Sequence, residues 1–108
     1  MARSKFNAKR TEVDGISFAS KKEARRYQEL KLLEKAGEIA DVVLQPKFWL
    51  DVVGGGKHIT VGAYIGDFKY RRKGGGIVIE DVKGFKTPLY KWKRKHVMAQ
   101  YGITVVEV

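Results

Sequence analysis

The sequence predicts a mixed α/β fold, one sheet flanked by two helices in the order α-β-β-β-α-β. Three observations carry that expectation. Residues 20–37 and 87–102 each open and close with helix signals, and β-branched runs fill the stretch between them and the chain's last residues. Hydrophobic residues make up 44% and charged residues 31%, a balance that suits a packed core and argues against disorder. A helix, a three-stranded meander and a crossover helix leading to a last strand together give a mixed sheet. At 108 residues the chain reads as one domain spanning 1–108.

Residues 1–14 read as a basic arm, followed by a turn at Asp14-Gly15 and a short strand over 15–19. Ser20-Lys21-Lys22-Glu23 matches a capping box, with serine at the N-cap and glutamate three residues on. The helix it opens runs to about Ala36 and stops at Gly37, with Ala24, Tyr27, Leu30 and Leu33 as its apolar side. Residues 38–50 are β-branched and aromatic, a strand or bent strand pair interrupted at Pro46. Gly54-Gly55-Gly56 is a turn, residues 59–70 a second strand, Gly74-Gly75-Gly76 a loop, and residues 77–83 a third strand. Thr87-Pro88 starts the second helix, Gly102 stops it, and residues 103–108 form the last strand.

Lys and Arg number 22 against 12 Asp and Glu, a net charge of +10 that attracts polyanions. The cations cluster, and two clusters interleave aromatics: Lys69-Tyr70-Arg71-Arg72-Lys73 and Lys91-Trp92-Lys93-Arg94-Lys95. Such surfaces suit nucleic acid, with Lys86 beside the second cluster as a further contact. A solvated basic face or an anionic membrane surface are the competing readings. No uncharged run approaches the ~18 residues of a membrane span, and no apolar segment follows the basic first residues as in a secretory signal. The chain has no cysteine, which excludes disulfide scaffolds, thiolate zinc sites and cysteine nucleophiles. The expected location is the cytoplasm.

Several motifs fail. Gly54-Gly55-Gly56-Lys57 lacks both ends of a phosphate-binding loop, and no serine-nucleophile pattern occurs. His58 and His96 have no ligand spacing around them; His96 is either a phosphate contact or a packed side chain.

What remains is carboxylates inside apolar strands, where charge is costly unless paired or metal-bound. Alternation puts Ile77, Ile79, Asp81 and Lys83 on one face of their strand and Val78, Glu80 and Val82 on the other. On the preceding strand Val61, Ala63, Ile65 and Asp67 share a face. Opposing Asp67 to Asp81 requires paired residues to sum to 148, which sets Arg71 against Ile77 across a five-residue loop. Two hard carboxylates at one rim suit Mg²⁺, with Mn²⁺ as substitute, and Lys83 on the same side can hold a water or meet phosphate charge. Glu23 heads the apolar stripe of the first helix and is either a third acid or only the capping glutamate. Asp-x-Lys spacing alone is weak, since Glu29-Leu30-Lys31 and Asp67-Phe68-Lys69 share it. Strand context favours Asp81-Val82-Lys83, with a strand-end salt bridge as the bland alternative.

These residues resemble the PD-(D/E)XK nuclease superfamily, whose restriction-endonuclease-like core has the same α-β-β-β-α-β order. The resemblance implies that Asp67 and Asp81-Val82-Lys83 bind and serve the catalytic metal, with the Val82 carbonyl as a ligand and Glu23 assisting. The chain is also similar to a small phage-associated family long catalogued as of unknown function, through Ser20-Lys21-Lys22-Glu23, Leu44-Gln45-Pro46-Lys47-Phe48, Gly66-Asp67-Phe68, Glu80-Asp81-Val82-Lys83-Gly84 and the basic residues 91–95. No proline precedes Asp67, and Glu80 adjoins Asp81, so the face argument must choose between those two acids. Gln45 and Glu80 stand as accessory residues. The implied activity is a Mg²⁺-dependent endodeoxyribonuclease, plausible on branched or junction DNA, working as a homodimer in a host cytoplasm. A DNA-binding protein that keeps the fold without catalysis is the rival, and an RNA-binding accessory protein a third reading. Lys69, Arg71, Arg72, Lys73, Lys86, Lys91, Lys93, Arg94 and Lys95 are the expected DNA contacts.

Overall fold

A computed structural model describes residues 10–82 and 85–108. Its elements run β1 (Thr11–Val13), β2 (Ile16–Phe18), α1 (Lys21–Lys35), β3 (Ile39–Leu44), β4 (Lys47–Gly54), β5 (Lys57–Ile65), β6 (Phe68–Arg72), β7 (Ile77–Asp81), α2 (Pro88–Tyr101) and β8 (Thr104–Glu107). The main sheet has the order β3-β6-β7-β8, antiparallel except for the β7–β8 pair. With the β4–β5 hairpin taken as an insertion, α1-β3-β6-β7-α2-β8 reproduces the expected mixed α/β core. The crossover through α2 accounts for the one parallel pair.

Both helices begin and end on their capping signals. Ser20 Oγ accepts the Glu23 N–H at 3.1 Å, and Thr87 Oγ1 accepts the Tyr90 N–H at 3.0 Å with Pro88 in the first turn. Gly102 ends α2 in the left-handed conformation, at φ 64°, which glycine adopts at no steric cost. The helices lie on opposite faces of the sheet. Ala24, Tyr27 and Leu30 of α1 pack with Phe18, Ile39, Phe68, Tyr70 and Val78, while Val97 of α2 packs with Leu50, Tyr64, Ile79 and Val105. Leu33, expected on the apolar stripe of α1, is exposed, because that stripe drifts off the sheet by its last turn.

The strands differ from expectation in three places. Residues 11–13, assigned to the basic arm, are β1, which pairs antiparallel with β2; residues 1–9 lie outside the described residues. The strand expected over 59–70 is two strands with different partners, since β5 pairs with β4 whereas β6 lies between β3 and β7. The exchange happens at Gly66. Its N–H donates to the Pro46 carbonyl at 2.9 Å, and an added Cβ would meet Ile79 Cγ2 at 2.8 Å, so only glycine lets the chain pass. This break separates Asp67 from the face of Val61, Ala63 and Ile65, which stays with the hairpin and turns outward. The third strand ends at Asp81, and Lys83 and Gly84 lie outside the described residues.

Candidate active site

The register between β6 and β7 pairs Arg71 with Ile77 and Phe68 with Glu80, the constant sum the sequence predicts. One step further, Asp67 stands across from Asp81. The ladder changes there. The Asp67 N–H donates to the Glu80 carbonyl at 2.9 Å, and Asp67 Oδ2 accepts the Val82 N–H at 2.6 Å. A side-chain oxygen thus replaces a ladder carbonyl, and the Asp67 carboxylate seats against the Asp81–Val82 peptide. On the other side, the Asp81 carbonyl accepts the Val108 N–H at 2.9 Å. The end of β7 is held from both neighbours.

Asp67 also lines a cavity of about 100 Å³, together with Glu23, Gln45, Leu44, Ser17 and Phe18. Three elements meet there. The capped first turn of α1 places Glu23, buried to 9% exposure, and the β3–β4 corner brings Gln45, whose N–H donates to the Asp67 carbonyl at 2.9 Å. Gln45 has φ 50°, a left-handed conformation that costs a residue with a side chain roughly 1–2 kcal/mol. Glu23, Asp67 and Gln45, far apart in the chain, therefore share one small polar chamber, large enough for a few water-sized groups.

Glu80 and Asp81 are both fully buried and point to opposite faces. Glu80 faces α1. Arg26 grips it with two hydrogen bonds, Nε to Oε1 and Nη2 to Oε2, both 2.7 Å, and the Tyr70 hydroxyl donates to Oε2. Its lone pairs are taken up in this structural network. Arg26 is held more firmly protonated by its bond to Glu80, and burial with the same carboxylate pushes the Tyr70 phenol up to about 12. Asp81 faces α2, where burial, the Glu107 hydrogen bond and the Asp81 charge all raise the Tyr90 phenol. Asp81 does not line the cavity that holds Asp67, Glu23 and Gln45. Among the described residues no three His, Asp or Glu gather as a metal-binding group.

Arg26 and Tyr70 were not legible as partners of an acid. The available signal was phase: Arg26 follows Glu23 by three residues on α1, and Tyr70 alternates with Phe68 toward the same helix.

The cations divide. Lys86 pairs with Glu107 at 3.2 Å just before α2, and Lys91 and Lys95 are exposed along it, with Lys93 half-buried between them. Arg94 turns inward, its Nη2 donating to the Val105 carbonyl at 2.8 Å. Lys69 is half-buried in β6. Arg71, Arg72 and Lys73 are exposed at the far end of β6, roughly 13–20 Å along the strand from Asp67, and Arg71 pairs with Asp41. His96 is a packed side chain: Nε2 meets the Asp51 carbonyl at 2.8 Å and the ring stands edge-on to Trp92.

Residues 3–106, nearly the whole chain, match the family described as Protein of unknown function (DUF1064). The chain belongs to that family. No curated protein and no solved structure matches it significantly. The DUF1064 match spans every described residue of the chamber and of the α2 cation row. Among the described residues of this DUF1064 chain, no helix is long and apolar enough to cross a membrane.

Proposed function

We propose that this DUF1064 chain is a Mg²⁺-dependent endodeoxyribonuclease of the PD-(D/E)XK, restriction-endonuclease-like kind, hydrolysing DNA phosphodiester bonds. The observation that carries the reading is the seating of Asp67. Its carboxylate lies against the Asp81–Val82 peptide and in the same chamber as Glu23 and Gln45.

The donor types suit the ion, although among the described residues no three His, Asp or Glu gather as a metal-binding group. Carboxylate, amide and carbonyl oxygens are hard ligands, and Mg²⁺ takes one or two carboxylates while leaving positions for water and phosphate. The reading assigns it to Asp67, Asp81 and the Val82 carbonyl with Glu23 beside them; Asp81, which faces α2 and lies outside the chamber of Asp67 and Glu23, would have to reach it from the strand end. Bound there, Mg²⁺ (or Mn²⁺) would polarise the scissile phosphate and acidify a water. Glu23, at the chamber wall, accepts a proton or orients a water, and Gln45 supplies a neutral donor to a phosphate oxygen. Lys83 is assigned the same task as a cation, and lies outside the described residues. Lys86, Lys91 and Lys95 would hold the phosphate backbone. Cutting both strands of a duplex or a junction calls for two such sites, hence a homodimer. A host cytoplasm is the fitting location.

One observation favours the rival, a DNA-binding protein without catalysis: the bond from Val82 gives Asp67 a purely structural use. Supercoiled plasmid separates the two. Nicking that requires Mg²⁺ or Mn²⁺ and is lost in Asp67→Asn supports the nuclease. Plasmid retention without nicking in either metal overturns it.

A further inference from the structure

The β4–β5 hairpin leaves the main sheet with one face covered. Leu50 and Tyr64 are buried against α2, and the Asp51 N–H donates to Gln100 Oε1 at 2.8 Å. The opposite face is bare, and its residues are Trp49, Val52, Ile59, Val61, Ala63 and Ile65. Excepting the half-buried Ala63, they are 42–55% exposed. They are contiguous, since Ala63 pairs with Trp49, Ile59 with Val52, and Ile65 with Lys47.

A register shift makes this face apolar. Strict alternation along β4 would carry Lys47, Trp49 and Asp51 outward. The bulge between Leu50 and Asp51 resets the phase. Asp51 turns inward, accepting from Thr60 Oγ1 at 2.6 Å and Gln100 Nε2 at 3.2 Å, and Val52 takes the outward position. The face's charges are two lysines at its ends: Lys57, in phase with Ile59 at the hairpin turn, and Lys47, whose ammonium lies 4.2 Å over the Trp49 ring.

We propose that this face is the homodimer interface, with the hairpin of a second copy as its occupant. Two properties select a second copy. The first is charge: the chain carries +10, so two copies repel through most of their surface, yet meet here with two cations each, both at the ends of the apolar patch. DNA finds no cation in the middle of it, where Val52, Ile59, Val61 and Ala63 lie. The second is area. The exposed parts of these side chains come to roughly 500 Å² per copy, about 1,000 Å² for a pair if all of it is covered, the floor for a specific interface, with the flanking backbone and lysine stems adding to it. Two ribbons packed face to face would make a small sandwich, the usual remedy for a hairpin with one apolar side uncovered. The surface deepens the homodimer reading above, while resting on none of the cleavage chemistry.

The test is the mass of the full chain by sedimentation from about 5 to 200 μM. The expected species has twice the 12.2 kDa of one chain. Ile59→Glu with Ile65→Glu should weaken self-association about a hundredfold or more, and Ile59→Thr with Ile65→Thr, which keeps strand propensity, should weaken it in the same direction. Leu32→Glu, on exposed α1, should leave it unchanged. Because the chain has no cysteine, Ala63→Cys should cross-link to itself with a short bis-maleimide and Gln28→Cys should not. An unmodified chain that stays monomeric, or associates only on DNA, overturns the proposal. So does a dimer that persists in the threonine variant, or cross-linking at Gln28 in place of Ala63. Plasmid nicking, read on the same samples, reports the nuclease reading separately: it can fail while the dimer stands, or stand while the dimer fails.

Discussion

Glu80 and Asp81 are adjacent carboxylates with opposite commitments, and substitution separates them. Glu80 is held by Arg26 and Tyr70, so Glu80→Gln leaves the Arg26 guanidinium without its countercharge. Arg26 is 24% exposed, which lets water recover part of the loss, so the expected cost is about 2 kcal/mol rather than the full penalty of a broken buried pair. Thermal unfolding should show that loss while nicking per folded molecule persists. Asp81→Asn should do the reverse: a folded protein without metal-dependent cleavage, binding DNA as well or more tightly. The opposite ranking in the plasmid assay would remove Asp81 from the site. Gln45 offers a second contrast, because its left-handed backbone is a cost that its position in the chamber has to justify. Gln45→Gly should raise stability by up to about 1 kcal/mol, through relief of that conformation, and lower the nicking rate. A glycine variant that is both more stable and fully active would make Gln45 a corner residue only. Phase was legible in the sequence: strand alternation assigned Glu80 and Asp81 to opposite faces. What occupies each face was not, since Arg26 and Glu80 meet across 54 positions of chain.

At the scale of elements, α2 carries two kinds of cation. Lys91 and Lys95 are exposed one turn apart, whereas Arg94 is bonded to the Val105 carbonyl of β8. Lys91→Ala with Lys95→Ala should weaken DNA binding and lower the log–log salt slope by about 2, with the unfolding temperature unchanged. Arg94→Ala should lower the unfolding temperature first. Binding titrations at several salt concentrations, beside thermal melts, read both. The junction of α1 and β3 carries part of the acid response. Glu34 accepts from Lys31 at 2.7 Å and from the Val42 N–H at 3.1 Å, and those bonds, Lys31's first, hold its carboxyl below the ordinary value of 4.5. A depressed folded pKa stabilises fully above that ordinary value and is lost as the pH falls through the folded one. Between about pH 5 and pH 3 the unfolding temperature should therefore fall less in Glu34→Gln than in the unmodified chain; equal falls would remove Glu34 from the acid response. The helices were legible because their signals are local: a serine or threonine cap, a proline, a closing glycine. The split of one expected strand into β5 and β6 was not, because what forces it is the approach of Ile79 and Pro46 to Gly66.

The whole molecule is flat, 47 × 46 × 20 Å, with its cations distributed over it. The chamber lies where α1 and β6 begin, on the α1 side of the sheet, and Arg72 and Lys73 lie at the opposite end of the sheet. Composition made the positive charge legible, and strand patterning made the register of Asp67 against Asp81 legible, since both are sums or alternations along the chain. The outward-facing hairpin was not, because Val61, Ala63 and Ile65 read as a core face until their strand is seen to leave the sheet. A flat basic body that engages a duplex should bind through backbone charge first. If about six phosphates are contacted, affinity should drop roughly a thousandfold between 50 and 200 mM monovalent salt, by release of condensed counterions. The binding titration should run in calcium or in Asp81→Asn, so that cleavage does not distort it. A steep slope with little preference among sequences fits basic residues that reach phosphates and few base edges. A nearly flat slope would mean that the +10 charge serves solubility alone, and the polyanion partner would fall with it.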